Sequence, residues 1–443
     1  MRGLSMIIAA ASLLLTFASA APVITVHPGN ANTGLVITKE NTVNATKVTT
    51  WSNSTGVKIN AALTTGALPL ALVNNFPGGA INAYVTGLDA NGQLVMLKAD
   101  GTFYYPTATS GPPQQVMQNC AIPLGAKGST LQITVPGYIS SARIWFAEGQ
   151  LKFYTVQGAN GPSLVEPSAV NPNDPSASVN WGFVELTYNS SGGLYANISY
   201  VDFLGLILGM QLQCGDGSTQ GARGLSQNSV QAVCSALSAQ AGQDGAPWGD
   251  LCQADSSGNM LRVLAPTDFI SSSSSAFSSY WSSYIDQVWS KYTSEPLYID
   301  TQSSPGKVAC QVQGSQLQCA GDNRSYSKPT ALDIFGCNSG PFGIQAGDNL
   351  VHVSVVPRLC AAFHRTTLLL PGGNVQPSLD SSHYYTTTPT NYFSKLIHQY
   401  ELDGKGYAFA YDDVNPDGDV NQSGTVVDAN PQLLTIYVGG NTS

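Results

Sequence analysis

Short strand-like segments separated by glycine turns fill the region between Leu68 and Asp202, and this pattern constrains the fold most. The segments include AYVTGLDANGQLVML, GTFYYP, STLQITVPG and ARIWFAEGQLKFYTV. Short apolar runs bounded by glycine turns are typical of strands. Many short strands in succession are typical of a β-sandwich or β-barrel. We therefore predict a β domain here.

The pattern changes after Cys214, where segments of helical periodicity begin. Ser226–Ala241, Pro266–Tyr292 and Thr390–Tyr400 are predicted helices, the last capped by Thr390 or Asn391. The end of the chain, LLTIYVGG, returns to a strand pattern. We predict a mainly β chain with an α/β part. The predicted units are a β domain of residues 68–213 and 401–443 and a mixed α/β domain of residues 214–400.

The N-terminus has the three parts of a secretory signal. Arg2 supplies the positive charge, Met6–Phe17 the apolar core, and Ala18-Ser19-Ala20 the small-residue cleavage site. The apolar run is too short for a membrane span, and no later segment is long enough. We expect residues 1–20 to be a signal peptide, residues 21–67 an N-terminal extension, and the mature protein soluble, extracellular and without a membrane partner.

The charge balance bears on the partner. The chain has 18 basic and 27 acidic residues, and removal of the signal also removes Arg2, which leaves 17 basic residues and a net charge of −10. Nucleic acid is therefore not an expected partner. A neutral polysaccharide is compatible with this balance, and we expect a monomer.

Cysteines and glycosylation sequons fit a secreted protein. The chain has eight cysteines, an even number that favours disulfides. Cys310 and Cys319 flank the possible hairpin QVQGSQLQ, and we predict that they pair. The remaining pairings stay open, and no cysteine spacing matches a zinc site. The N-x-Ser/Thr sequons stand at Asn44, Asn53, Asn189, Asn197, Asn323, Asn421 and Asn441.

Two acidic residues stand inside apolar strand patterns between Trp181 and Met210. Glu185 and Asp202 occupy positions where an unpaired carboxylate would be costly to bury. A pair of carboxylates in such a place is a candidate acid/base site. On spacing alone, the alternative of two structural acids, bonded to backbone or arginine, is equally acceptable.

A hairpin model places the two acids on one face. If Ser190–Gly193 form a simple turn, Asn189 pairs with Leu194 and Glu185 pairs with Ile198. Asp202 then shares the face of Glu185, four residues beyond its partner, or roughly 13 Å between backbones. This gap fits the wide carboxylate spacing of inverting glycosidases better than the spacing of roughly 5 Å in retaining ones.

Several motifs resemble glycoside hydrolase family 64, the secreted endo-β-1,3-glucanases that include laminaripentaose-producing enzymes. They are WGFVELTYN, ANISYVDFLGLILGMQL, KPTALDIFGCNSGPF, RLCAAFHRTTLL, QPS, PTNYFSKLIHQYELDGKGYAFAYDDVNPD and LLTIYVGG. The resemblance runs from about residue 68 to the end. The order of the acidic strand, the Tyr200/Asp202 segment and the YDD motif is also similar to thaumatin-like proteins, whose β core borders an acidic cleft.

The resemblance implies a thaumatin-like β-barrel or sandwich and a mixed domain, with a wide groove between them for β-1,3-glucan. It implies hydrolysis with inversion, Glu185 as general acid and Asp202 as general base, without a cofactor or metal. Asn197 departs from the acid that thaumatin-like proteins carry there, and Tyr195 replaces a tryptophan. The residues expected to line the groove and bind substrate are Thr187, Asn189, Tyr195, Asn197 and Asp412. Apart from the resemblance, Tyr384 and Tyr385 stand in a loop-like segment and are candidate platforms for stacking on a sugar.

Two alternatives stay open, one for the function of the protein and one for the segment from Asp413 to Asn421. A non-catalytic thaumatin-like protein that binds β-glucan or acts in defence would share the fold and the motifs. The segment from Asp413 to Asn421 resembles the start of a calcium loop, but its twelfth position is Gly424 and Pro416 intrudes. A solvated acidic turn is therefore the favoured interpretation of this segment.

Overall fold

A computed structural model of the chain describes residues 24–25, 42–43 and 66–441. The expected signal peptide, residues 1–20, lies outside the described residues, as does most of the expected extension. The two described pieces of that extension each form a two-residue strand.

The described residues form short strands along most of the chain. In chain order they are β1 (Ile24–Thr25), β2 (Thr42–Val43), β3 (Leu68–Asn74), β4 (Ile81–Asp89), β5 (Leu94–Leu97), β6 (Phe103–Tyr104), β7 (Gln114–Gln115), β8 (Ile122–Pro123), β9 (Thr130–Val135), β10 (Ile139–Glu148), β11 (Tyr154–Gly158), β12 (Gly161–Val165), β13 (Asn180–Asn189), β14 (Gly193–Ile198), β15 (Phe203–Leu204), β16 (Leu208–Gln213), β17 (Thr219–Ala222), β18 (Cys252–Ala254), β19 (Met260–Leu264), β20 (Leu297–Asp300), β21 (Lys307–Gln313), β22 (Gln316–Cys319), β23 (Ser325–Tyr326), β24 (Val375–Gln376), β25 (Val426–Asp428) and β26 (Leu433–Val438).

Five sheets collect these strands. The largest has the order β25-β14-β13-β10-β4-β5-β6, with β8 added beside β4. A second sheet, β17-β16-β26-β3-β9, places the C-terminal strand β26 parallel to β3. The others are β2-β12-β11-β7, β1-β18-β19-β15 and β23-β22-β21-β20-β24. The chain is thus mainly β, and its last strand returns to the sheet where the first long strand lies.

The helices of the described chain all lie between residues 229 and 400. They are α1 (Ser229–Asp244), α2 (Pro266–Ser272), α3 (Ser282–Ser294), α4 (Ala331–Gly336), α5 (Leu350–His364) and α6 (Tyr392–Tyr400). Asn391 caps α6 by accepting a hydrogen bond from the Ser394 N–H. None of these helices is both long and apolar enough to cross a membrane.

The continuous helical pattern predicted over Pro266–Tyr292 is wrong in its middle. The chain leaves α2 after Ser272 and re-enters a helix at Ser282, with Phe277 in the left-handed region at φ 58°. Serine hydroxyls compete with the backbone for hydrogen bonds: those of Ser271 and Ser272 bond to the carbonyl oxygens of Thr267 and Phe269. The serine run therefore separates two short helices.

Three disulfides join six of the eight cysteines. Cys310 pairs with Cys319, as the sequence predicts, across neighbouring positions of β21 and β22. The other two disulfides join Cys234 to Cys252 and Cys337 to Cys360, and Cys120 and Cys214 are buried thiols. All three disulfides lie in the region from residue 234 to residue 360, where the helices are concentrated.

Candidate active site

Glu185 lies in the middle of β13, at the centre of the largest sheet. Its neighbour across the ladder in β10 is Arg143, and its neighbour in β14 is Asn197. The Nε and Nη2 atoms of Arg143 both donate to the Oε1 atom of Glu185, at 3.2 and 3.0 Å. The sheet register therefore places Arg143 directly opposite Glu185, and the two side chains form an ion pair.

The predicted hairpin forms, but its predicted register is wrong by one residue. Asn189 pairs with Gly193 and Glu185 pairs with Asn197, because the connection has three residues and not four. The Asn189 Oδ1 atom accepts hydrogen bonds from the Ser191 and Gly192 N–H groups and tightens the turn. Gly193, at φ 74°, then begins the second strand.

The register change decides which side chains share the face of Glu185. Ile198, the predicted partner, packs in the core with 1% exposure. Asn197 takes its place beside Glu185 and is 3% exposed. Among the described residues, the Nδ2 atom of Asn197 has no hydrogen-bond partner. A buried amide donor without a partner costs about 1–3 kcal/mol, which a bound acceptor would recover.

Asp202 lies in the same site because of a bend in the chain, and not because of strand alternation. β14 ends at Ile198, Ser199 forms an isolated bridge with Tyr407, and the chain bends at Val201 and Asp202 before β15. The Asp202 Oδ2 atom lies 3.7 Å from the Arg143 Nη2 atom. The bend therefore brings Asp202 to the arginine that also binds Glu185.

The contacts to Arg143 limit the distance between the two carboxylates. Nη2 of Arg143 lies 3.0 Å from Glu185 Oε1 and 3.7 Å from Asp202 Oδ2, so these oxygens are at most 6.7 Å apart, the sum of the two distances. The limit reaches the short end of the inverting range, roughly 6.5–9.5 Å, and also includes the retaining value of roughly 5 Å.

A third carboxylate, Glu166, completes the group around Arg143. Its Oε2 atom lies 3.0 Å from Arg143 Nη1, its Oε1 atom accepts from the Thr86 hydroxyl, and its side chain is 1% exposed. Sequence reasoning missed both Arg143 and Glu166. The available signal for Arg143 was its position as a charged residue inside the apolar run ARIWF. The same kind of signal drew attention to Glu185.

Arg143 is a permanent cation in this group, hereafter the Arg143 cluster (Arg143, Glu166, Glu185 and Asp202). Burial acts to lower the pKa of its guanidinium, but the three carboxylates outweigh burial and raise the pKa above the usual value. The guanidinium also packs over the Phe183 ring, with its central carbon 4.4 Å from the ring centre. Its position is therefore fixed from several sides.

Two cavities meet at Arg143 and Asp202. The first, of about 240 Å³, contains Glu185 and extends past Thr187, Asn197 and Tyr407. The second, of about 340 Å³, extends along Trp181, Phe183 and Phe203 to helix α2 and to the loop of residues 167–172. These two adjoining cavities are together called the groove, and Glu185 and Asp202 line it.

The other predicted substrate-binding residues of the hairpin differ in their placement. Thr187 lines the first cavity and its Oγ1 accepts a hydrogen bond from the Ser141 N–H. Tyr195 lies opposite Thr187 in the ladder and is half-buried, without lining the cavity. Asn189 lies at the turn, where its side-chain oxygen is occupied by backbone donors.

The expectation that Asp412 lines the groove is wrong. Its side chain is fully buried, with Oδ1 2.9 Å from Arg365 Nη2 and Oδ2 2.9 Å from His398 Nε2. The Ala408 N–H also donates to Oδ2. Both oxygens are satisfied by the protein, so Asp412 is a structural acid.

The expectation that Tyr384 and Tyr385 form an open sugar platform is also wrong. Their exposures are 8% and 6%. The Arg365 guanidinium covers the Tyr384 ring at 4.3 Å, and the Tyr385 ring stacks on the His398 ring. Rings that are covered in this way do not present a face to a ligand.

One group among the described residues has a metal-like set of ligands. Cys337, Cys360 and His364 lie close together and are buried. The two sulfur atoms are joined to each other in a disulfide, so neither can act as a thiolate ligand. This group has no thiolate to offer a metal ion in the oxidised protein.

The sequence model of the β-1,3-glucanase family, glycoside hydrolase family 64, matches residues 66–438. The chain belongs to glycoside hydrolase family 64. Its candidate acids, Glu185 and Asp202, lie inside the matched region, whereas β1 and β2 lie before it.

Relatives and solved structures agree with this family 64 assignment. Two glucan endo-1,3-β-glucosidases, from Cellulosimicrobium cellulans and Arthrobacter sp. (strain YCWD3), are each 30% identical over 387 residues, or 86% of this chain. The chain spans 66% of the length of each. A laminaripentaose-producing β-1,3-glucanase in complex with laminaritetraose matches 85% of this chain and 99% of its own, with 29% identity and a TM-score of 0.73. A family 64 domain from Clostridium beijerinckii shares the fold, with 22% identity and a TM-score of 0.65.

Proposed function

We propose that this family 64 chain is a secreted endo-β-1,3-glucanase that hydrolyses its substrate with inversion. Glu185 is the general acid and Asp202 is the general base. The observation that carries the proposal is that a single arginine contacts both carboxylates inside an open groove. The two side chains keep 25% and 37% exposure, so a substrate can reach them.

The proposed reaction needs two proton transfers. Glu185 gives a proton to the glycosidic oxygen as the bond breaks, and Asp202 takes a proton from the water that attacks the opposite face of the sugar. The positive charge of Arg143 stabilises the Asp202 carboxylate. A guanidinium binds a neutral carboxyl group more weakly than it binds a carboxylate, so protonation of Glu185 weakens its contact with Arg143. The reaction requires no metal or organic cofactor.

Residues around the first cavity are proposed to bind the glucan. Asn197 offers a buried amide donor to a sugar hydroxyl beside the scissile bond, and Thr187 lines the same wall. Tyr195 remains a candidate for stacking on a sugar at the edge of the groove. Asn189 contributes through the turn that sets the register of the hairpin.

Further parts of the proposal concern the whole molecule. We infer that residues 68–213 and 401–443 form a thaumatin-like β domain and residues 214–400 a mixed α/β domain, with the glucan groove between them. Residues 1–20 serve as a secretory signal, and the mature enzyme acts outside the cell as a monomer. The three disulfides support an oxidising compartment.

The test uses Glu185→Gln and Asp202→Asn on linear β-1,3-glucan. Each variant should release reducing ends about 10²- to 10⁴-fold more slowly than the wild type, because each removes one proton-transfer group. Glu148→Gln is the matched control, since Glu148 ends the strand β10 that carries Arg143. Near wild-type turnover by either folded variant would remove that residue from the proposed mechanism.

The same assay separates the second function class. A non-catalytic β-glucan-binding or defence protein would bind the polymer and release no reducing ends. The exposure of both carboxylates in one groove favours the enzyme, because a bound substrate can reach both acids at once.

A further inference from the structure

A segment from outside the family-matched region reaches the candidate active site. Strand β2, Thr42–Val43, pairs antiparallel with the edge of β12, with Thr42 opposite Val165 and Val43 opposite Leu164. The family model begins only at residue 66. β12 ends one residue before Glu166, the buried acid that contacts Arg143. The added strand therefore lies beside the chain that delivers a member of the Arg143 cluster.

Val43 is packed into the protein at this position. Its exposure is 5%, and it belongs to the same continuous apolar core as the strands of the β region. It also lines the first cavity together with Glu185, Leu186 and Thr187. The second cavity lies on the other side of Arg143 and Asp202, and Val43 does not line it. Val43 thus bounds the groove on one side of the carboxylates.

We propose that Val43 is a specificity-determining residue that limits how far the glucan chain extends on the Glu185 side of the groove. The inference rests on the proposed β-1,3-glucanase function. Backbone pairing with β12 fixes the position of Val43, and packing in the apolar core restricts its side chain, so Val43 acts as a wall of the first cavity. Removal of the Val43 side chain should lengthen the groove, and a larger side chain at this position should shorten it.

The test uses the full chain with Val43→Gly and Val43→Phe. Val375→Gly is the matched control, because Val375 also lies in a two-residue edge strand, β24, but lines neither cavity. Each protein digests a ladder of linear β-1,3-gluco-oligosaccharides of increasing length. Val43→Gly should lower KM for the longest substrates roughly tenfold with little change in kcat, and shift the products towards longer chains. Val43→Phe should raise that KM and shift the products towards shorter chains.

Opposite shifts from the two substitutions exclude general unfolding as the cause. Unchanged KM values and products in both variants, or an equal shift in Val375→Gly, would overturn the role of Val43. Calorimetric titration of the same ladder into each variant in the Glu185→Gln background measures the length dependence of binding without turnover. Wild-type protein that binds glucan without cleaving it would refute the proposed function, while the titrations would still decide the role of Val43. A lack of any glucan binding would overturn both.

Discussion

Two arginine clusters in this molecule have nearly the same chemistry and opposite surroundings. In the Arg143 cluster, Glu185 and Asp202 keep 25% and 37% exposure. In the second, the Arg365 cluster (Arg365, His398, Glu401 and Asp412), Arg365 is 3% exposed and Asp412 is fully buried. Both clusters come from acidic motifs that resemble the same families, and only the first opens to a groove.

The difference separates the proposed catalytic carboxylates from a structural one. Both carboxylate oxygens of Asp412 are bonded within the protein, to Arg365, to His398 and to a backbone N–H, which leaves no oxygen for a ligand. Asp202 contacts its arginine at 3.7 Å and remains partly exposed. Burial decides the role of each acid, because it determines whether a substrate can take the place of the internal partner.

The largest expected effect is on stability, in the Arg365 cluster. Arg365→Met leaves Asp412 buried without one of its two cations and should lower the free energy of unfolding by about 3–5 kcal/mol. Urea denaturation followed by tryptophan fluorescence measures the change. A loss below about 1 kcal/mol would show that the Arg365 cluster does not stabilise the fold as a structural cluster should.

The second prediction concerns pH and sharpens the same contrast. Burial acts to lower the pKa of His398, but Asp412 and Glu401 outweigh burial and raise it to about 10. The charged imidazolium therefore contributes stability fully below its unfolded value of 6.5, and this contribution is lost as pH rises towards 10. The free energy of unfolding should fall by up to about 1.4 kcal/mol per pH unit in this window. His398→Gln should flatten the slope, and an unchanged slope in that variant would assign the pH dependence elsewhere.

The third prediction concerns the replacement of Arg143 in the Arg143 cluster. Arg143→Met removes a guanidinium that is 18% exposed, so water can replace it beside Glu166, which keeps its hydrogen bond from Thr86. Glu185 and Asp202 can also turn towards water, so the free energy of unfolding should fall by about 1–3 kcal/mol. This loss is smaller than the loss expected for Arg365→Met. The hydrolysis rate should also fall, because the carboxylates lose their common anchor. Equal destabilisation by the two arginine variants, measured side by side in urea, would remove the distinction between the clusters.

The smallest expected effect is the stability change in Asp202→Asn. Asp202 is 37% exposed and its contact with Arg143 is 3.7 Å long, so the substitution should change the free energy of unfolding by no more than about 0.5 kcal/mol. Glu148→Gln, at a half-buried acid outside the Arg143 cluster, serves as the reference in the same denaturation series. A loss of several kcal/mol in Asp202→Asn would mean that the acid holds the fold together, and its loss of activity could not then be assigned to chemistry.

The sequence allowed the hairpin and its acids to be predicted, but not their exact partners. Strand alternation located Glu185, yet the Asx turn at Asn189 shifted the ladder by one residue and placed Asn197 in the site instead of Ile198. Asp202 joined the site through a bend that no two-residue period describes. A one-residue change in a turn moves every side chain of a strand to the other face.

Contacts between distant segments could not be predicted from local patterns. Arg143 and Glu166 lie 42 and 19 residues before Glu185, and only the folded sheet brings the three together. Local patterns also gave no sign that Tyr384, Tyr385 and Asp412 are covered by Arg365 and His398. Helix α5 was missed because its valines, LVHVSVV, favour strands in isolation, although tertiary packing makes the segment helical.

The most direct test of the central claim is the anomeric configuration of the first product. Wild-type protein digests linear β-1,3-glucan in an NMR tube, and the anomeric proton signals are recorded before mutarotation equilibrates them. Single displacement by water, with Glu185 as acid and Asp202 as base, predicts that α-anomers form first. Initial release of β-anomers would contradict inversion and would require one of the two carboxylates to act as a nucleophile.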